Sequence, residues 1–124
     1  MIKIGIKDLV EEAEANIETM TVDEVMNVKD DDNTILVDIR DIRELWRDGT
    51  IPNSIHAPRG MLEFWVDPNS PYYREQFGSG KKLIFYCAGG LRSALAAFTV
   101  KKMGLDTVAH MKGGYAKWIE AGGT

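Results

Sequence analysis

Apolar and polar positions follow two different periods along this chain, and the switches between them mark out its elements. Ile6, Leu9, Val10, Ala13 and Ile17 recur at helical spacing, with Glu11, Glu12 and Glu14 on the opposite side. That pattern predicts an amphipathic helix at about 6–17, packing its apolar stripe on the domain. Ile17-Glu18-Thr19-Met20 reads as a short strand. Thr21-Val22-Asp23-Glu24 has capping-box spacing, so a second helix starts at Thr21 and buries Val22, Val25 and Met26. The acidic run Lys29-Asp30-Asp31-Asp32-Asn33 ends it as a solvated loop rather than a metal site. Thr34-Ile35-Leu36-Val37-Asp38-Ile39-Arg40 is a continuous β-branched and apolar run, which suits a strand buried on both faces of a parallel sheet. Asp41 followed by Glu44 caps a short helix carrying Leu45 and Trp46, and Gly49 closes it.

The second half repeats the alternation. Ile51 to Pro58 gives a loop and a short strand framed by prolines. A long section from Arg59 to Gly80 carries Met61, Leu62, Phe64 and Trp65 on one or two amphipathic turns, with Tyr72, Tyr73 and Phe77 tacking it back onto the body. Lys82–Tyr86 is a strand. Leu91, Ala94, Leu95 and Phe98 then follow helical spacing until Gly104 stops them. Thr107–His110 is a last short strand, and Gly113-Gly114 turns into a helix with Tyr115, Trp118 and Ile119 on one face. Trp46, Trp65 and Trp118 are expected to serve the core or tie down loops. Strands alternating with helices imply a parallel sheet covered by helices on both faces.

Composition narrows the function. At 124 residues with 44% hydrophobic content, the chain is expected to form one domain, 1–124, able to bury a core without disulfides. A net charge of −4 argues against nucleic acid as a partner, because phosphate binding needs a basic surface. No apolar run approaches the roughly 20 residues of a membrane span. The N-terminus lacks a secretory leader pattern, and one cysteine forms no internal disulfide, so a reducing compartment, the cytoplasm, is expected. The two histidines, His56 and His110, show no Cys/His spacing that suggests a metal, and no phosphate-loop or dinucleotide pattern occurs, so no cofactor is expected.

The chemistry concentrates at Tyr86-Cys87-Ala88-Gly89-Gly90-Leu91-Arg92-Ser93. A buried strand runs into the sole cysteine, a glycine loop follows, and a helix begins at Leu91. Ligands of open parallel sheets bind outside the carboxyl ends of the strands, where Cys87 sits. A tight loop aims successive N–H groups inward, and the helix N-terminus adds partial positive charge. Such a cradle favours an ionised, nucleophilic sulfur.

Three stretches resemble the rhodanese family. Asp38-Ile39-Arg40 with Glu44 and Gly49-Thr50-Ile51-Pro52-Asn53-Ser54-Ile55 resembles its "DVR…E…GHIPGA" pattern, with Thr50 in place of the usual histidine and Asn53 in place of a common glycine. Cys87 to Ser93 resembles the "CxxGxRS" loop of single-domain members. Met111-Lys112-Gly113-Gly114-Tyr115-Ala116-Lys117-Trp118 resembles the closing "L-x-GG-(F/Y)-x-x-W". The resemblance covers the chain from about residue 17 onward and leaves the first helix as an accessory element. It implies a three-layer α/β fold with a central parallel sheet of about five strands.

It also implies sulfurtransferase chemistry. Cys87 would take a sulfane sulfur from a small anionic donor such as thiosulfate, and pass it to cyanide or a thiol, thioredoxin or glutathione among them. No cysteine–histidine pair is evident, and none is required if the thiolate is already formed. Ala88, Gly89, Gly90, Leu91, Arg92 and Ser93 would bind the substrate with their loop. Arg92 could bind a sulfonate or be tethered to Asp38 or Glu44; Arg59 could face the pocket or solvent; Ser93 could join the cradle or cap the helix. Asp38 and Arg40 read as a structural ion pair. Two other classes stay open. A phosphatase or arsenate reductase of the related fold places its arginine one position further from the cysteine than Arg92 stands, around a larger cradle. A non-catalytic sulfur carrier or partner-binding module would use the same cysteine.

Overall fold

Burial alternates along Lys82–Tyr86 and sorts the core into two halves. Leu83 and Phe85 point to one face of the sheet and Ile84 and Tyr86 to the other, all four buried, as the two-residue repeat of a strand requires. In a computed structural model describing residues 1–124, the chain runs α1 (Ile6–Asn16), β1 (Glu18–Met20), α2 (Val22–Val28), β2 (Thr34–Asp38), α3 (Ile42–Asp48) and β3 (Ile55–His56). It continues with α4 (Leu62–Val66), β4 (Lys82–Tyr86), α5 (Leu91–Lys102), β5 (Val108–Met111) and α6 (Gly114–Glu120). The sheet has five parallel strands in the order β1-β5-β4-β2-β3. The expected architecture is therefore present: the cysteine strand is central, with its carboxyl end between β2 and β5.

One face packs α4 and α5 through Val37, Leu62, Phe85, Ala97 and Val100, with Cys87 in the same cluster. The other packs α2 and α6 through Val25, Ile84, Tyr86, Tyr115 and Trp118. Both N-terminal capping boxes form: Thr21 with Glu24 opens α2, and Asp41 with Glu44 opens α3. No helix is long and apolar enough to cross a membrane.

Several details depart from the sequence reading. β2 stops at Asp38, not Arg40, because Arg40 folds back onto the Asp38 carboxylate. The last strand runs one residue later than expected, to Met111. In α1 only Val10 and Ala13 are buried, against Ala94 of α5, while Ile6 and Leu9 stay exposed. Helix α5 buries a second stripe, Ser93, Ala96, Ala97 and Val100, that lies on the sheet, and Leu91 is exposed. Trp118 is in the core on the α2 and α6 face, and Trp65 packs against the cluster on the opposite face, under the Arg74 guanidinium at 4.1 Å. Trp46, however, is 75% exposed and serves neither core nor loop, since α3 buries no residue fully. In the long 59–80 section Phe77 is buried, whereas Phe64 and Tyr72 meet edge-on at the surface. Asn53 sits at φ 69°, a left-handed conformation that glycine adopts freely and asparagine tolerates best among the rest.

Candidate active site

Beyond β4 the chain turns through Cys87–Gly90 and enters α5, and the turn is held from outside by α6. The Tyr115 N–H donates to the Cys87 carbonyl at 2.8 Å and the Ala116 N–H to the Ala88 carbonyl at 3.1 Å. These bonds pull the loop's carbonyls outward and leave its N–H groups for the sulfur. Gly114, at φ 64°, lies so close that a Cβ there would meet the Cys87 oxygen at 2.5 Å and the Ala88 carbonyl at 2.6 Å. Gly90, at φ 98°, is the N-cap of α5, and a Cβ on it would meet the Gly113 nitrogen at 2.9 Å. The cysteine loop and the double glycine are thus one interlocked unit, which is why both need glycine.

Cys87 is 1% exposed. Its Sγ accepts from the Gly90 N–H at 3.2 Å and the Ser93 N–H at 3.4 Å, and lies 3.6 Å from the Ser93 hydroxyl. Ser93 does not cap the helix; its hydroxyl is 3.0 Å from Nδ1 of His110, which is buried on β5. The other ring nitrogen of His110, Nε2, lies 3.3 Å from Oε2 of Glu14 on α1. Burial pushes the His110 imidazole below its ordinary pKa, with Glu14 opposing that shift and Lys112 adding to it. An unbroken line of hydrogen bonds therefore joins Cys87 to the N-terminal helix.

Arg92 is tethered. Its two terminal nitrogens bond Glu44 at 2.9 and 3.0 Å, and Glu44 also receives the Asp41 N–H in the capping box of α3. Glu44 raises the Arg92 pKa, with the nearby Cys87 sulfur adding to it, and the Arg92 hydrogen bond holds the Glu44 carboxyl below the usual range. Asp38 and Arg40 form the buried pair the sequence suggested, at 2.7 Å, with Arg40 also donating to the Gly49 carbonyl. Thr50 donates to Asp38 at 2.8 Å and meets the Tyr86 hydroxyl at the same distance. Burial, helped by Asp38, pushes the Tyr86 phenol up to about 12. Arg59 pairs with Glu63 at 2.7 Å and reaches Thr99 at 3.4 Å, so its side-chain hydrogen bonds go to α4 and α5 rather than to the cysteine loop.

A cleft of about 430 Å³ opens beside the loop, and Gly89, Gly90, Leu91, Lys112, Lys117 and Glu14 are among the residues that line it. No group of three or more His, Cys, Asp or Glu side chains is placed to hold a metal ion. Sequence reasoning located the loop but missed His110, Glu14 and the two lysines. Strand parity carried the missing signal: Val108 and His110 share a face of β5, and Val108 packs in the same cluster as Cys87. No histidine pairs directly with Cys87; His110 reaches it through the Ser93 hydroxyl.

A family model described as the rhodanese-like domain matches residues 21–121. A solved structure from Rhodopseudomonas palustris, a protein of unknown function described as a possible tyrosine phosphatase, is 51% identical, covers 100% of this chain and 96% of its own, and superposes with a TM-score of 0.97. A single-domain sulfurtransferase from Saccharomyces cerevisiae is 25% identical, with 86% and 91% of the two chains covered and a TM-score of 0.70. A curated relative from Brucella ovis, named tRNA uridine(34) hydroxylase, is 39% identical over 93 residues. Those residues are 73% of this chain but only 28% of the relative, so the chain spans under a third of that protein.

Proposed function

The chain belongs to the rhodanese-like domain family, and from that footing we propose that it is a sulfurtransferase carrying a sulfane sulfur on Cys87. The observation that supports this reading above the others is the convergence of the Gly90 and Ser93 N–H groups on Cys87 Sγ. A thiolate there attacks the outer sulfur of a donor such as thiosulfate. A new S–S bond forms, the donor's own S–S bond breaks, and sulfite leaves with the electron pair. Cyanide or a thiol, glutathione or thioredoxin among the candidates, then attacks the terminal sulfur and returns Cys87 as thiolate. Lys112 and Lys117 give the adjoining cleft positive charge suited to a small anionic donor. A reducing compartment, the cytoplasm, suits a lone reactive thiol. The hydroxylase named among the relatives is a longer protein, and its activity on tRNA is not part of this proposal.

A phosphatase reading draws on the description of the Rhodopseudomonas palustris structure. Against it, the Arg92 fork that would grip a phosphate is already filled by Glu44. Two assays separate the readings: thiocyanate release from thiosulfate and cyanide, and hydrolysis of p-nitrophenyl phosphate. Thiocyanate release that vanishes in Cys87→Ser, with one sulfur added to the intact mass of the wild type after thiosulfate, is the expected result. Cysteine-dependent phosphate hydrolysis without sulfur loading would overturn the proposal.

A further inference from the structure

Helix α1 lies outside the residues matched by the family model, yet it places one carboxylate against the active-site hydrogen-bond line. Glu14 is partly exposed and, ionised, only accepts hydrogen bonds, so Nε2 of His110 carries a proton. In the neutral ring Nδ1 then holds a lone pair and receives the Ser93 hydroxyl proton, which leaves the Ser93 oxygen to accept from the Cys87 thiol. Every link is filled. It is filled equally well after two protons move: the thiol proton to Ser93, and the Ser93 proton to His110 Nδ1. That arrangement pairs a Cys87 thiolate, held by two backbone N–H groups and the Ser93 hydroxyl, with a His110 imidazolium held by Glu14.

We propose that Glu14, His110 and Ser93 form a proton relay that accepts the Cys87 proton as the sulfur attacks, making α1 a part of the active site. Glu14 is the positioning residue, since it fixes the tautomer of His110 and stabilises the charge that arrives there. Burial alone opposes an imidazolium at this position, so the carboxylate is what makes the transfer feasible. The charged groups facing the ring are Glu14 from α1 and Lys112 beyond β5, with Cys87 one hydroxyl away. The relay also returns the proton when the sulfur leaves, or takes up the proton that a thiol acceptor releases. Its outer end, the partly exposed Glu14 carboxylate, borders the cleft, whereas His110 lies buried behind it.

The inference rests on Cys87 being the reactive sulfur, but alkylation by iodoacetamide, read by intact mass, tests it without any sulfur transfer. The wild type, Glu14→Gln, Ser93→Ala and the double variant are compared across pH, with thermal melting to verify folding and Glu12→Gln, on the exposed side of α1, as the control. Near neutral pH, Glu14→Gln is expected to slow alkylation by about tenfold. Its profile reaches the wild-type rate only at higher pH, and the double variant is no slower than Ser93→Ala. A Glu14→Gln profile that overlays the wild type at every pH, or losses that multiply in the double variant, would overturn the relay. Loss of thiocyanate production with the alkylation profiles as expected would instead count against the sulfurtransferase reading alone.

Discussion

Asp38 and Arg40 bury opposite charges at 0% and 1% exposure, at the end of β2 beside the cysteine strand. Asp38 receives the Arg40 backbone N–H, its guanidinium and the Thr50 hydroxyl, while Arg40 also lies 4.4 Å over the Tyr115 ring. Removing one partner strands the other as an uncompensated buried charge. Asp38→Ala is therefore expected to destabilise the fold by roughly 3–5 kcal/mol, measured by urea unfolding. A loss near zero would show that Arg40 finds another partner. The pair was legible in sequence because the two residues flank one strand end. The partners of Arg92 and Ser93 were not. Which of two carboxylates holds Arg92, and whether Ser93 faces the helix end or a neighbouring strand, depend on packing across elements that no local spacing encodes. Thr50, a departure from the family pattern, turns out to bridge Asp38 and Tyr86.

At the scale of elements, α6 and the cysteine loop hold each other. Gly114→Ala drives a methyl group into the Ala88 carbonyl and breaks the bonds from Tyr115 and Ala116. Sulfur loading of Cys87 is expected to fall by on the order of 10²-fold, because small misplacements of a reacting group cost that much. Mass spectrometry after thiosulfate reads it, and unchanged loading would mean the loop keeps its shape without α6. The capping boxes of α2 and α3 were readable from four-residue spacings, and the structure adds that one of them, through Glu44, also anchors Arg92. Helix α1 was harder. Its periodicity placed Glu14 with the solvent-facing acids, but docking through Val10 and Ala13 turns Glu14 inward against β5.

For the whole molecule, His110 sets the acid limb of stability. Buried and mostly neutral when folded, it binds a proton more readily in the unfolded chain, so protonation favours unfolding. The melting temperature is expected to drop as pH falls below about 6.5, and His110→Gln should flatten that limb relative to its own neutral value. A second decline follows at more acid pH as Glu44, held low by Arg92, takes up a proton. An identical slope in His110→Gln would assign the first decline elsewhere. The alternating elements made the three-layer plan legible, whereas strand order was not, because parallel pairing joins segments distant in sequence. That order has a further consequence during synthesis. β1 has only β5 as a ladder partner, so the first strand of the chain waits for the last. α6, which shapes the sulfur loop, emerges later still. A nascent chain halted before Val108 thus carries the cysteine but neither the loop's brace nor the Glu14–His110 contact, and its thiol should be silent until translation has passed both.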